Sequence, residues 1–270
     1  MFHSGKILRR SRISPTVMML DIEIPSLPTF EPGQWVDFVA KPNDWVGGFS
    51  IASSPRDLPR ITLAIKNSND PPATWVHDDN RSSVGARVEV RLGGNCVLDK
   101  RLPLRPSVFC AGGIGISPIL SQYREFLFLR DTANVDDAIE PAPSMFLFTA
   151  SSAEELVFAR ELSDMSRKGS ELGRDRMVFA ITRETNKNDI SSSSTSRTER
   201  KHQFSFLSDD ETLLHVERRT GRVLTEFLDE SPSDANYYIC GPPSMIDDAV
   251  RHLRTVRTTP LERIKHERWW

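Results

Sequence analysis

The sequence predicts a two-domain protein in which an N-terminal antiparallel β-barrel precedes a C-terminal parallel α/β domain. Up to residue 104 the apolar runs are short and are interrupted by proline and glycine, which is typical of a small barrel. From residue 105 onward, apolar strand-like runs alternate with helical periodicity, which is typical of a parallel sheet covered by helices. A glycine-rich stretch marks the change. We therefore expect a barrel over residues 1–104 and an α/β nucleotide-binding domain over residues 105–270.

The barrel half contains several short strand signals bounded by turn residues. They cover residues 17–24, 35–39, 49–52, 61–65 and 88–92. Four basic residues, Lys6, Arg9, Arg10 and Arg12, precede the first acidic one, and a basic start of this kind can resemble a mitochondrial transit peptide. Residues 6–24 also fit a strand, a turn and a second strand. We favour this second interpretation because the apolar residues continue into the barrel.

The second half alternates strands with helices. Strands are predicted over residues 107–110, 145–148, 177–181 and 237–240, and helices over residues 154–167 and 247–257. Residues 186–203 hold a run of serine and threonine between basic residues and contain almost nothing apolar. A segment of that composition predicts a disordered insertion on a surface loop.

Composition excludes several classes of function. With a formal net charge of -2 and a pI of about 6.3, the chain has no overall charge that would recruit nucleic acid. It has no apolar run near the roughly 20 residues of a membrane-spanning helix. Cys96, Cys110 and Cys240 lack metal-ligand spacing, so we expect no metal site and reduced thiols inside a cell, in the mitochondrion or the cytoplasm.

The glycine-rich stretch at residues 107–118 combines a buried strand, a tight turn and a helix start. Gly112, Gly113 and Gly115 let the backbone approach a ligand closely. Ser117 is predicted at the helix N-cap and Pro118 at the first helical position. A helix start of this kind favours a diphosphate. The spacing differs from Gly-x-Gly-x-x-Gly, and a glycine turn without a ligand is the alternative.

Four further stretches occur in an order that resembles a known superfamily. Residues 31–36 look like a Pro-Gly-Gln barrel strand, and residues 85–90 look like a Gly-Asp-x-Val-x-Val strand. Residues 155–162 resemble the helix after the second nucleotide-domain strand, and residues 239–245 are similar to a Cys-Gly-Pro-x-x-Met signature. Together with the glycine turn, they resemble the ferredoxin–NADP reductase superfamily of flavin oxidoreductases. Residues 70–77 and 267–270 look most like the branch of oxidoreductase NAD-binding domain-containing proteins.

The resemblance implies a flavin, FAD or FMN, between a flavin-binding barrel and the α/β domain. Residues 47–53 align with the motif Arg-x-Tyr-Ser-x-x-Ser, so that Ser50 would bond the flavin near N5 and Phe49 would stack on its ring. Gly47 replaces the arginine of the motif. Losing such a charge-assisted contact would weaken flavin binding about ten- to a hundredfold. The flavin residues implied are Phe49, Ser50, Ile51, Ala52, Ser53, Lys66 and Thr74. A barrel that has lost its flavin is the alternative.

The resemblance implies that the nicotinamide nucleotide binds to the glycine turn. The residues expected to cradle its diphosphate are Gly112, Gly113, Ile114, Gly115, Ile116 and Ser117. Cys240, followed by Gly241 and Pro242, would lie near the nicotinamide C4. Nothing beside Cys240 suggests a depressed thiol pKa, so we interpret it as a shaping group rather than a nucleophile. A buried small hydrophobe is the alternative.

Two residues leave specificity open. Arg183 resembles part of a Ser-Arg pair that binds the 2′-phosphate of NADP, and a solvated loop charge is the alternative. Trp269 and Trp270 end the chain, and Trp270 either covers the flavin ring or packs as a hydrophobic tail between the domains.

The function implied is a flavin-dependent NAD(P)H oxidoreductase. A hydride would pass from NAD(P)H to the flavin, with Ser50 and Cys240 at the reacting atoms, and electrons would continue to an unknown protein or small-molecule acceptor. The alternative is a nicotinamide-nucleotide-binding module that has lost tight flavin binding and acts as a sensor or assembly partner.

Overall fold

The computed structural model describes residues 1–40, 44–99, 105–133, 142–182 and 217–268, and their strands form two six-stranded sheets. The first sheet is antiparallel and the second is parallel, which confirms the predicted fold class. Within these ranges no helix is both long enough and apolar enough to cross a membrane.

The first sheet curls into a barrel. Its strands are β1 (His3–Arg12), β2 (Val17–Glu23), β3 (Trp35–Ala40), β4 (Trp45–Ser50), β5 (Arg60–Lys66) and β6 (Arg87–Gly93), in the order β4-β3-β6-β1-β2-β5. The two edge strands approach each other through an antiparallel bridge between Ile51 and Leu63. The N–H of Ala52 also donates to the Thr62 carbonyl at 2.9 Å. A single helix, α1 (Pro71–His77), packs against β4 and β3.

The second sheet has helices on both faces, because its strands are apolar on both sides. Its strands are β7 (Ser107–Gly112), β8 (Ser144–Ala150), β9 (Asp175–Ile181), β10 (Glu217–Thr220), β11 (Asn236–Gly241) and β12 (Ile264–Arg268), in the order β10-β9-β8-β7-β11-β12. Helices α2 (Ile116–Ala133) and α3 (Ala159–Glu171) contribute to one core. Helices α4 (Leu224–Asp229) and α5 (Pro243–Thr255) contribute to the other.

The barrel and the α/β domain share buried surface. Ala52 and Ala64 of the barrel belong to the same apolar cluster as α2 and α3. Arg124 on α2 donates to the Ala52 carbonyl at 2.7 Å, and the Ser121 hydroxyl donates to the Ser53 carbonyl at 2.7 Å. The chain that leaves β4 is therefore fastened to the first helix of the other domain.

The structure corrects several predicted boundaries. The helix expected from residue 154 begins at Ala159, because Phe158 adopts a left-handed φ of 64° that an α-helix does not allow. Helix α2 begins at Ile116 after a turn of 3₁₀ helix, so Ser117 lies in its first turn rather than at the N-cap. Elements α1, β10, α4 and β12 were not predicted. The predicted domain boundary and the insertion at 186–203 lie outside the described residues.

Candidate active site

A cleft of about 790 Å³ opens at the carboxyl ends of β7, β8, β9 and β11. Strand β7 lies between β8 and β11. Strands β8, β9 and β10 are added on one side of β7, and β11 and β12 on the other, so the order in which strands are added reverses at β7. Open parallel sheets bind their ligands at such a reversal. The lining includes Lys66, Gly112, Gly113, Thr149, Thr182 and Pro242. Lys66 comes from the end of β5, so the barrel contributes one wall of the cleft.

The three glycines of the β7–α2 turn serve different purposes. A Cβ on Gly112 would lie 2.6 Å from the Met245 sulfur, and one on Gly115 would lie 2.5 Å from the Cys240 carbonyl oxygen. Both positions therefore require glycine for close packing. Gly113 has a φ of 54°, and a Cβ there would meet no atom within 4 Å. Its backbone thus faces open space in the cleft, which is what a backbone cradle for a ligand requires.

The helix after this turn offers polar groups to a ligand. Helix α2 is 18 residues long, and its positive dipole end lies at the turn. The Ser117 hydroxyl is buried, and among the described residues its oxygen has no hydrogen-bond partner. Buried hydroxyls normally have a partner, so this one is available to a group bound at the turn.

The charge in the cleft favours an anion. The cationic residues Lys66, Arg222 and Arg251 outnumber the carboxylates Glu155 and Asp248. Arg251 pairs with Asp248 at 3.1 Å, and Glu155 accepts hydrogen bonds from two barrel hydroxyls. Within the ranges that the structure describes, Lys66 and Arg222 form no ion pair. Their charges are therefore left to attract a phosphate-bearing ligand.

Cys240 lies at the end of β11 and is 1% exposed. Burial raises the pKa of its thiol well above the ordinary value, so the thiol is protonated at neutral pH. Its neighbour Pro242 lines the cleft. Cys240 therefore lies in the core beside the cleft and does not present a thiolate to it.

The barrel face near the end of β4 is closely packed. A Cβ on Gly47 would lie 3.0 Å from two ring carbons of Pro72, the second residue of α1. The Phe49 ring packs edge-on against Phe38, with centroids 5.7 Å apart. Ser50 is 8% exposed at the end of the strand.

Polar groups of the residues after Ser50 are already hydrogen-bonded to other parts of the protein. The N–H of Ile51 donates to the Gln34 carbonyl at 3.0 Å, and the Ser53 hydroxyl accepts from the Thr62 N–H at 3.0 Å. Ile51, Ala52 and Ser53 are each at most 1% exposed. These residues close the barrel and fix the domain junction.

A scan against protein-family models found no match. Oxidoreductase NAD-binding domain-containing protein 1 from Pongo abelii is 33% identical to this chain over 278 residues, which cover 99% of this chain and 79% of that protein. The chain belongs to the oxidoreductase NAD-binding domain-containing protein 1 family.

Solved structures share the fold of this family member. The ferredoxin-NADP+ reductase of Plasmodium falciparum superimposes with a TM-score of 0.69 at 17% identity, over 99% of this chain and 96% of that one. The flavohemoglobin of Malassezia yamatoensis, solved with bound FAD and heme, superimposes with a TM-score of 0.71 at 16% identity, over 100% of this chain and 60% of that one. At these identities the similarity shows the two-domain fold of a flavoprotein reductase.

The structure places the predicted nucleotide-site residues that it describes either on the lining of the cleft or in the packed layer beside it. Lys66, Gly112, Gly113 and Pro242 border one cleft. Gly115, Ile116 and Cys240 are buried beside it, Ile114 is partly buried, and Gly241 packs against Gly112. Arg183 and Trp270 lie outside the described residues.

Sequence reasoning missed the cleft residues that come from α5 and from the loop after β10. Asp248, Arg251, His252 and Thr255 line the cleft at helical spacing of three and four residues. This spacing was a usable signal for one helix face. Arg222 follows a strand of four residues that had no predicted counterpart, so its position at the sheet edge was not apparent.

The residues present fit a nicotinamide nucleotide better than they fit the phosphate end of a flavin. The cleft offers the open backbone at Gly113 and, among the described residues, two cations without an ion pair, and the buried Ser117 hydroxyl beside it has no partner there. At the barrel face, Pro72 crowds the position that a Cβ on Gly47 would occupy. The Thr74 hydroxyl donates to the Ser68 carbonyl at 3.3 Å, so it is not free for phosphate. Gly47 and Thr74 therefore offer no group to a flavin phosphate.

Proposed function

We propose that this family member is an NAD(P)H-dependent flavin oxidoreductase. The observation that carries the proposal is the turn at Gly113, where half-buried backbone with open space beside it and a helix start line one cleft with two cations that have no ion pair among the described residues. The nucleotide diphosphate lies across this turn, and its nicotinamide end lies toward the junction with the barrel. The oxidoreductase family and the reductase fold support this assignment.

The chain's own residues position the nucleotide rather than transfer protons. The N–H groups at the start of α2 bind the diphosphate, and Lys66 and Arg222 attract it. Cys240 and Pro242 shape the floor under the nicotinamide. Ser50 bonds the hydride acceptor, a flavin ring, at the domain junction. Positioning of this kind supplies much of the rate in hydride transfer between two ring systems.

The proposal extends to the choice between NADH and NADPH and to the cellular compartment of the protein. The cleft accepts NADH or NADPH, and Arg183 is a candidate for the 2′-phosphate of NADPH. Trp270 is a candidate cover for the flavin ring. The three cysteines are free thiols, which supports a reducing compartment, the mitochondrion or the cytoplasm.

Substitution of Gly113 by valine tests the nucleotide site. The β-branched side chain would occupy the open space that the diphosphate needs, and we expect the Kd for NADH or NADPH to rise at least about tenfold, the loss of one charge-assisted contact. Isothermal titration calorimetry measures this change directly.

Gly173→Val is the matched control. Gly173 also has a positive φ, 70°, and open space around its Cβ position, but it does not line the cleft. Backbone strain is therefore similar in the two variants. Equal nucleotide affinity in Gly113→Val and Gly173→Val would place the nucleotide elsewhere.

The second candidate function is a nucleotide-binding module without flavin turnover. The contact of Pro72 with Gly47 favours it, because that contact closes the phosphate end of the flavin site. The two candidates differ in the fate of NADH. A module binds NADH and leaves its absorbance unchanged when flavin is added, whereas an oxidoreductase consumes it.

A further inference from the structure

We infer that this protein recognises flavin by its ring system alone and uses it as an exchangeable substrate. The inference rests on the proposed function and specifies its second substrate. Riboflavin, FMN and FAD share the ring and differ only in the phosphate-bearing tail, so a site without a phosphate subsite treats them alike.

The first support is the packing at Gly47. A Cβ there would lie 3.0 Å from both Cβ and Cγ of Pro72 and 3.1 Å from Cζ of Phe49. These contacts are tighter than ordinary Cβ contacts, so an arginine at this position would require Pro72 or Phe49 to shift. The surface at this point is therefore apolar, and helix α1 covers it directly.

The second support is the start of α1. Pro71 and Pro72 lack N–H groups, so the first turn of the helix has two fewer donors for an anion. The N-cap residue is Asp70, whose carboxylate accepts a hydrogen bond from the Ser68 hydroxyl at 3.1 Å. A negative charge at this position repels phosphate. The two prolines and the Asp70 carboxylate therefore all disfavour phosphate at the start of α1, the helix that packs on β4.

The third support is the place where a ring can still enter. The cleft carries Lys66 on its barrel wall and Gly112, Gly113 and Pro242 on its sheet wall. A ring between these walls meets the nicotinamide at the junction with the barrel, beyond the glycine turn that holds the diphosphate. The N–H groups of Ile51 and Ala52 donate to barrel carbonyls, and the Ser53 hydroxyl accepts from the Thr62 N–H, so these groups are already engaged within the barrel.

The reaction balances with two substrates and a solvent proton. NAD(P)H gives a hydride, with both electrons, from its C4 to N5 of the oxidised flavin. Water supplies the proton that N1 takes up. The products are NAD(P)⁺ and a dihydroflavin, which leaves and carries the electrons to the final acceptor.

The test compares riboflavin, FMN and FAD with the full-length wild-type protein. Each flavin is titrated by fluorescence quenching without nucleotide, after gel filtration of the protein. We expect a colourless protein and three Kd values within about threefold of one another, because only the shared ring is bound. An FMN or FAD affinity at least about tenfold above that of riboflavin would overturn the inference and leave the proposed oxidoreductase standing.

Absence of binding by all three flavins would overturn the inference together with the flavin part of the proposed function. Nucleotide binding would then be judged separately by Gly113→Val. The two failures are therefore distinguishable.

A double variant, Gly47→Arg with Pro72→Gly, tests the structural cause. Removing the proline ring opens space for the arginine, and we expect FMN to gain at least about tenfold in affinity relative to riboflavin. Pro72→Gly alone is the control: it restores one N–H donor at the start of α1 but adds no cation, so we expect its ratio to stay below that of the double variant. A folded double variant with an unchanged ratio would contradict the inference. If the double variant fails to fold, the wild-type comparison decides.

Discussion

At the residue scale, the glycine turn shows what a sequence reveals and what it conceals. The cluster of Gly112, Gly113 and Gly115 predicted a close approach of backbone to ligand. The sequence could not distinguish their purposes, since two of them contact Met245 and Cys240 from distant parts of the chain. Of the three, Gly113 alone has open space at its Cβ position. Likewise, Gly47 indicated a missing arginine, but its contact with Pro72 depends on how α1 packs.

A buried ion pair between Arg130 and Asp175 joins helix α2 to strand β9 of the parallel sheet. Arg130 donates to both carboxylate oxygens of Asp175, at 2.6 and 2.9 Å, and the two side chains are 4% and 1% exposed. The Ser144 N–H and hydroxyl also donate to Asp175. Neither partner can turn to solvent, so each depends on the other.

Asp175→Asn removes the buried counter-charge of Arg130 and leaves it only the longer pair with the exposed Asp131, at 3.7 Å. We expect the free energy of unfolding to fall by about 3–5 kcal/mol, measured by urea denaturation. The control is Asp164→Asn, which breaks an exposed pair with Arg167 on α3 and should cost about 0–1 kcal/mol. Similar losses of unfolding free energy in the two variants would show that the Arg130–Asp175 pair stabilises the fold no more than an exposed ion pair does.

At the element scale, predictions succeeded where apolar residues alternate or run continuously and failed where packing decides. The helix α1 was missed because Pro71 and Pro72 suggest a turn, although proline is well tolerated in a first helical turn. Strand β12 was missed because every residue after Ile264 is polar, half-buried at Lys265 and Glu267 and exposed at His266 and Arg268, so the strand carries little apolar signal. Its pairing with β11 comes from tertiary contacts.

Strand β1 gives an element-scale prediction. It lies inside the barrel sheet, paired with β2 on one side and with β6 on the other. Its basic residues therefore belong to the barrel. Deleting residues 1–12 would leave both neighbours with unpaired edges, and we expect loss of the cooperative unfolding transition. Circular dichroism during thermal unfolding measures it.

The control removes only residues 1 and 2, which precede β1. We expect this shorter deletion to unfold cooperatively, as the full chain does. A cooperative transition in the protein lacking residues 1–12 would show that the strand is dispensable and would favour the transit-peptide interpretation of the basic residues.

At the scale of the whole molecule, the sequence predicted two domains and their order, and the structure confirms both architectures. The sequence could not show how the domains fit together. Arg124 fixes the junction through the Ala52 carbonyl and through Glu161, and these contacts join residues far apart in the chain. The junction places the barrel's Lys66 opposite the Gly113 turn, which makes one cleft from two domains.

The central claim is that NAD(P)H bound at the Gly113 turn reduces a flavin at this junction. Anaerobic stopped-flow mixing of the protein and riboflavin with NADH or NADPH tests it by following the oxidised flavin absorbance. We expect bleaching that saturates with nucleotide, persists in Gly173→Val and is lost in Gly113→Val. No bleaching with either nucleotide, or equal bleaching in Gly113→Val, would contradict the account.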